Sequence, residues 1–287
     1  MSAASAPPPP VGERIVDVVS MQSQVAYGNV GNNIAVPVLQ ALGLHVAPVP
    51  TVVFGNTPHY PTMHGGPLPL GWFQGLLDDL EAREAATRAR RVLIGYLGAP
   101  EQGIALAQWL RRMQRINPGL RVQIDPVIGD HDYGTYTDPA LLPVWRDHLL
   151  PLAEGLCPNH FELGKLAGRS PRTLDDCLDA AAALLNDTTR WVVVTSAAPE
   201  LCPPDRIQLA IVGDGVREVR EHPLVPHPVK GVGDMFAAMI AGRIENGAGL
   251  LDAVDRTCAD VVDVLQHVQS QGWQELALPR HIARRLE

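Results

Sequence analysis

The chain of 287 residues has only four cysteines, Cys157, Cys177, Cys202 and Cys258, and no C-x-x-C pair. They read as reduced thiols of a cytosolic protein rather than as a disulfide framework. No apolar run reaches membrane-spanning length, so no membrane partner is expected. No apolar h-region follows the first residues, which excludes a secretory signal there and makes the cytoplasm the expected compartment. Basic residues are in deficit: 23 Lys and Arg stand against 31 Asp and Glu, a formal net charge of −8. That balance argues against a nucleic-acid partner, while leaving room for a local basic patch around an anionic substrate. Two phosphate-binding signatures are also missing. There is no G-x-x-x-x-G-K-[ST] loop and no G-x-G-x-x-G dinucleotide fingerprint. No internal repeat and no interdomain linker is visible. What remains, 46% hydrophobic and 19% charged residues, is the composition of an ordinary globular protein.

The stretch that organises the chain is Lys230-Gly231-Val232-Gly233-Asp234, followed by the apolar run Met235–Ile240. Two glycines and an Asp stand where a helix begins. Free backbone N–H groups and the positive dipole end of a helix attract an anion there. Glycine lets that anion approach the backbone closely. A carboxylate at such a place would repel phosphate. It makes chemical sense as the base for a hydroxyl that attacks a phosphoryl group held by those N–H groups. The same G-x-G-D pattern can also be a plain helix cap, since Asp and Gly are both accepted at that position.

The other elements alternate strand and helix. Residues 1–12, with four consecutive prolines at Pro7–Pro10, read as a disordered tail. The remaining 13–287 read as a single α/β domain with a mostly parallel sheet. Ile15–Ser20 is the expected first strand, and Ser23–Asn33 a glycine-containing loop at the carboxyl edge of the sheet. A helix over Ile34–Leu42 follows, in which Pro37 is acceptable only within the first turn. His45–Phe54 is a second extended run, and Gly55–Pro61 a turn-rich segment that brings a hydroxyl, the His59 imidazole and a phenol together. Helices are expected over Leu70–Ala86, Pro100–Ile116, Leu141–Glu154, Leu174–Leu185, Met235–Glu245 and Leu250–Gln269. Strands are expected over Arg91–Tyr96, Leu120–Ile124, Gly155–Cys157 and Trp191–Ser196. Ile207–Val212 and Val216–Arg220 make an antiparallel pair joined by Gly213-Asp214-Gly215.

Asp125 ends the Leu120–Ile124 strand and is well placed to face a ligand and its metal, although Asp before Pro also starts turns. The loop Asp132–Tyr136 could close over phosphates. Asn159 and Glu162 have the spacing of a capping box. The functional alternative for Glu162 is to help hold Mg2+ opposite Asp125.

In order along the chain, six segments resemble the pyridoxal kinases of the ribokinase-like superfamily, in particular the bacterial pyridoxine/pyridoxal/pyridoxamine kinases. They are Ser23–Asn32, Asn56-Thr57-Pro58-His59-Tyr60, Gly95-Tyr96-Leu97-Gly98, Asp125–Asp130, Pro158–Leu163 and Gly231–Asp234. G-x-G-D alone would indicate only the superfamily, which includes the hydroxymethylpyrimidine kinases. The Ser23 and His59 loops favour the pyridoxal members.

The resemblance implies a three-layer αβα sandwich, transfer of phosphate from ATP to the 5'-hydroxyl of B6 vitamers, a Mg2+ requirement and a homodimer. A monovalent cation such as K+ is a further candidate. It implies that Ser23 and His59 contact the pyridine ring, that Tyr96 packs near it, and that Asp234 is the base. Asp125, Cys157, Glu162, Thr195 and Gly231 would line the nucleotide site, with Gly231 and Gly233 forming the anion hole. Tyr136, by its backbone carbonyl, and Glu162 would bind the metal. The Lys230 amine, near a site that admits an aldehyde, could form a Schiff base. Three positions depart from the family pattern. Cys157 stands where Thr is common, Val232 where Thr often lies between the glycines, and Gly164 in place of a second acidic residue. A rival of another class is a non-catalytic vitamer-binding protein on the same fold.

Overall fold

A computed structural model describes residues 16–286. The Pro-rich segment 1–12 lies outside them, as does Ile15 of the expected first strand. The strands are β1 (Val18–Val25), β2 (Val46–Phe54), β3 (Gly65–Pro67), β4 (Arg91–Ile94), β5 (Arg121–Ile124), β6 (Gly129–Asp130), β7 (Gly134–Thr135), β8 (Gly155–Leu156), β9 (Trp191–Val194), β10 (Arg206–Gly213) and β11 (Val216–Pro223). The helices are α1 (Asn32–Ala41), α2 (Leu70–Ala82), α3 (Ala85–Arg88), α4 (Pro100–Ile116), α5 (Leu141–Val144), α6 (His160–Ala167), α7 (Leu174–Ala182), α8 (Val232–Glu245), α9 (Leu250–Ser270) and α10 (Arg280–Leu286).

Nine strands form one sheet in the order β11-β10-β9-β8-β5-β4-β1-β2-β3. The central strands from β9 to β2 pair in parallel. The edges are antiparallel: β10 pairs with β9 and β11, and β3 with β2. The parallel strands are short and apolar because both of their faces are covered. Successive side chains of β9 show how. Val192 and Val194 join one buried cluster with α2, α4, α6 and α7, while Trp191 and Val193 join the other with α1, α8 and α9. The period of two thereby produces a helix–sheet–helix sandwich. Among the described residues no helix is long and apolar enough to cross a membrane.

Several elements differ from the sequence expectation for identifiable reasons. β1 begins later and runs on to Val25, because its pairing with β2 continues through an irregularity between Gln22 and Gln24. Ser23 is therefore a strand residue at a bulge. α1 starts two residues early, at Asn32, because Gly31 takes φ 53° and its carbonyl accepts from Ala35 N at 2.9 Å. Pro37 then lies beyond the first turn, where its missing N–H leaves one helical bond unmade. The helix expected over Leu70–Ala86 breaks at Glu84, which adopts a left-handed φ of 56°. The one expected over Leu141–Glu154 passes from α5 into a π turn at Trp145–Leu149 and a 3-10 turn at Leu150–Leu152. Pro151, lacking an N–H, cannot continue the α pattern there. β3 and α10 were not anticipated.

At the amino edge of the sheet Arg91, fully buried, is held by Glu245 at 2.7 Å and Glu154 at 2.9 Å. Glu245 is the last residue of α8, so this ion pair moors that helix at its far end. Removing one partner strands a buried charge, whereas replacing both does not. Glu245→Ala is expected to lower unfolding stability by about 3–5 kcal/mol, and the Arg91→Met/Glu245→Leu double variant by much less. Urea unfolding of the two variants checks this, and equal losses would contradict it.

Candidate functional site

The site lies at the carboxyl edge of the sheet, where β5 and β8 end and α8 and α6 begin. Asp125 follows directly on β5, its N–H bonded to Ile94 O at 2.8 Å, and is 8% exposed. Its Oδ2 lies 3.7 Å from the point where a Gly233 side chain would start, so the first turn of α8 packs against it. Burial, and then the Glu162 and Asp234 carboxylates, push the Asp125 carboxyl well above its usual range. Three carboxylates from three elements thus converge.

Glu162 is in the first turn of α6. Asn159 and Glu162 form the expected capping box, with Glu162 N donating to Asn159 Oδ1 and Asn159 N to Glu162 Oε2, both at 2.9 Å. The side chain also does more than cap. Its Oε1 accepts from Ile128 N at 2.9 Å and Gly129 N at 3.4 Å, clamping the chain that leaves Asp125. Burial raises its pKa to about 7, and the backbone donors oppose that rise. With three acceptances in use, a carboxylate retains little capacity for a direct ligand.

Asp234 is in the first turn of α8, behind Gly231 at the cap. Gly231 takes φ 95° with the Asn29 carbonyl against it, a conformation and a closeness that no side chain would allow. Burial raises the Asp234 pKa to about 6, and the Gly31 N–H draws it partway back down. Gly31 in turn packs on Ser23, so Ser23, Gly31 and Asp234 form one contiguous group.

The remaining expected residues distribute as follows. Tyr96 is half-buried after β4, its carbonyl accepting from Thr51 Oγ1 at 2.5 Å. His59 Nδ1 pairs with Thr57 Oγ1 at 2.6 Å, and its ring lies 4.2 Å from that of Tyr60. Thr195 bonds through its N–H to Pro158 O at 2.9 Å, beside the Glu162 cap. Tyr136 bonds by its N–H to Ile128 O at 3.2 Å, with its ring half-exposed. The Lys230 ammonium sits 5.0 Å from the Tyr133 ring centre. Cys157 is buried, its Sγ accepting from Gln123 Nε2 at 3.6 Å, and burial raises its thiol pKa. Only its backbone is left to meet a ligand. Three contributors escaped sequence reasoning: the Gly31 N–H, the buried Gln123, and Glu275 beside His59. Only Gly31 had a signal, its place in a glycine-containing loop.

Among the described residues no three His, Cys, Asp or Glu side chains close on a single point to hold a metal. The available donors are carboxylates and backbone carbonyls, hard oxygens of the kind Mg2+ takes while keeping waters and phosphate oxygens as its other ligands.

A family model described as phosphomethylpyrimidine kinase matches residues 74–274. A pyridoxine/pyridoxal/pyridoxamine kinase of Bordetella bronchiseptica is 50% identical over 92% of this chain and 93% of its own. A pyridoxal kinase of Corynebacterium diphtheriae is 30% identical over the same shares. Among solved structures, the pyridoxal kinase of Entamoeba histolytica superposes with a TM-score of 0.86 at 22% identity, covering 95% of this chain and 96% of that one. The Leishmania donovani pyridoxal kinase in complex with ADP and pyridoxine gives 0.82 at 24% identity, covering 93% and 91%. The sandwich is therefore that of the ribokinase-like fold, as the motifs led us to expect. By sequence identity over nearly its full length, the chain belongs to the pyridoxine/pyridoxal/pyridoxamine kinases, within the family that the phosphomethylpyrimidine kinase model describes.

Proposed function

We propose that this chain, acting as a single kinase unit over residues 13–287, transfers phosphate from ATP to the 5'-hydroxyl of pyridoxal, pyridoxine and pyridoxamine. The observation that carries the reading is Asp234 at the head of α8, its pKa raised to about 6. A base poised slightly below neutral pH is ionised in the cell yet still takes a proton readily. Phosphoryl transfer needs alignment and charge neutralisation more than covalent help. Gly231 and Gly233 offer backbone N–H groups to the moving phosphoryl, a contribution commonly worth about 3–4 kcal/mol per donor.

Ser23, His59 and Tyr96 would hold the vitamer ring, His59 by its face, since Thr57 engages its Nδ1. The nucleotide would lie along Asp125, Thr195 and Gly231 and the backbone of Cys157. Mg2+, held through Glu162, the Tyr136 carbonyl and water, would supply charge neutralisation of the phosphates. A monovalent cation such as K+, a cytoplasmic location and a homodimer belong to the same reading. The exposed Trp72 and Leu76 of α2 support a covered face, and sedimentation at the mass of one chain would remove the dimer.

The match to the phosphomethylpyrimidine kinase model supports a second reading, a hydroxymethylpyrimidine kinase. Purified protein offered pyridoxal, pyridoxine, pyridoxamine and hydroxymethylpyrimidine with Mg-ATP is expected to phosphorylate the three vitamers and to stop when EDTA is added. Preference for the pyrimidine would favour the second reading. Vitamer binding without turnover would favour a non-catalytic binder.

Protonation of Asp234 should also appear in the kinetics. kcat/KM for pyridoxal is expected to fall about tenfold per pH unit below about pH 6. A profile flat down to pH 4.5 would exclude Asp234 as the base.

Asp234→Asn is expected to lose about 10²–10⁴-fold in kcat and to gain stability. The sign follows from a folded pKa above the unfolded one. The folded state holds that proton more tightly, so Asp234 costs stability once pH rises through 3.8 to about 6. The full shift corresponds to about 3 kcal/mol, and the partial exposure of Asp234 discounts it. A higher melting temperature for the Asn variant at pH 7, shrinking towards pH 4, is the expected result. An equal or lower melting temperature at pH 7 would contradict the electrostatic origin.

A further inference from the structure

Outside the residues assigned above, one carboxylate engages three parts of the site at once. Glu275 lies in the segment between α9 and α10, far along the chain from the loops it meets. Its Oε1 accepts a short hydrogen bond from Tyr60 Oη and lies 3.9 Å from His59 Nε2. Its Oε2 is buried and lies 2.8 Å from the point where a Gly28 side chain would start, and Gly28 takes a φ of 106° that favours glycine. The neighbouring Leu276 is fully buried, and its carbonyl accepts from Asn29 Nδ2 at 2.6 Å. Its side chain also lies against Gly231 at the cap of α8. At the start of the segment, Trp273 O pairs with His227 Nε2 at 2.7 Å.

Residues 273–276 therefore form a strap. It ties the His59–Tyr60 loop to the loop after β1 and to the turn that carries Asp234. The Tyr60 bond is to a carboxylate, the stronger kind of hydrogen bond. In keeping with it, that bond first and burial second raise the Tyr60 phenol pKa. Thr57 fixes the opposite side of the His59 ring. Tyr27 meets the Tyr60 ring edge-on at 5.7 Å, and Glu275 is the carboxylate that engages both Tyr60 and His59.

We propose that Glu275 is a positioning residue for the vitamer: through Tyr60 and His59 it holds the 57–60 loop over the ring site and sets vitamer affinity. This rests on the reading of His59 as a vitamer contact. Glu275 itself has no contact with Asp125, Thr195 or the Glu162 cap, and the strap meets the nucleotide side through a different residue, Leu276, against Gly231. The effect should therefore be selective for one substrate.

The test is calorimetric binding of pyridoxal and of ATP to the full chain, with turnover measured in parallel. The variants are Glu275→Ala, Glu275→Gln, Tyr60→Phe and the Glu275→Ala/Tyr60→Phe double. We expect Glu275→Ala to weaken pyridoxal binding roughly tenfold or more, with Kd for ATP and kcat within about twofold. Tyr60→Phe should reproduce most of the loss, and the double variant should add little to it. Glu275→Gln, which keeps an acceptor for Tyr60, should recover part of the affinity. Unchanged pyridoxal binding in Glu275→Ala, or in Glu275→Gln and Tyr60→Phe should the Ala variant not fold, overturns the proposal. So do equal losses for pyridoxal and ATP, and full additivity in the double variant. Wild-type binding of pyridoxal without turnover would instead count against the kinase reading, and the affinity comparison would still decide on Glu275.

Discussion

Three carboxylates that repel one another, gathered at one edge of a sheet, are the constraint around which the rest is arranged. Asp125, Glu162 and Asp234 come from the end of β5 and the first turns of α6 and α8. Burial raises the affinity of each for protons or for positive charge, and at Asp125 the charges of Glu162 and Asp234 add to it. The backbone answers part of that demand: Glu162 accepts from Asn159, Ile128 and Gly129, and Asp234 is met by Gly31. What is left over is an unsatisfied negative field. Such a field suits a ligand that arrives with a divalent cation and phosphates, and disfavours bare phosphate.

The parallel topology makes this gathering possible. Every central strand points its carboxyl end the same way, and the helices that follow return their amino ends to the same edge. Residues distant in sequence are therefore brought together at one edge of the sheet. Left-handed backbone occurs there too, at Gly31 and Gly231, which as glycines adopt it without steric cost.

How much of this was legible depended on the range of the interaction. The Asn159–Glu162 box was readable because both members lie within one helical turn. Asp125 was readable because it ends an apolar strand. Ser23 was expected on a loop, and it lies within β1. The bulge that keeps it on β1 is decided by the partner strand, which local composition does not report. Cys157 was expected at the nucleotide, and its thiol faces Gln123 and the core, which leaves its backbone for that role. Gln123 could not be foreseen as its partner, since a polar residue in a strand normally reads as exposed. Glu275 lay beyond reach altogether: it is separated from Tyr60 by 215 positions and has no motif around it.

The mooring of α8 by Arg91 and Glu245 has a consequence for the conditions under which the protein works. Asp234 is the third residue of the helix and Glu245 its last, so about 16 Å separates the anchored end from Asp234. Reaction rates fall steeply when a reacting group is misplaced by an ångström. A surface anchor would loosen as ionic strength rises. An ion pair sealed from water is screened very little, so the strut that carries the Asp234 carboxylate is insulated from the salt in which the protein is dissolved.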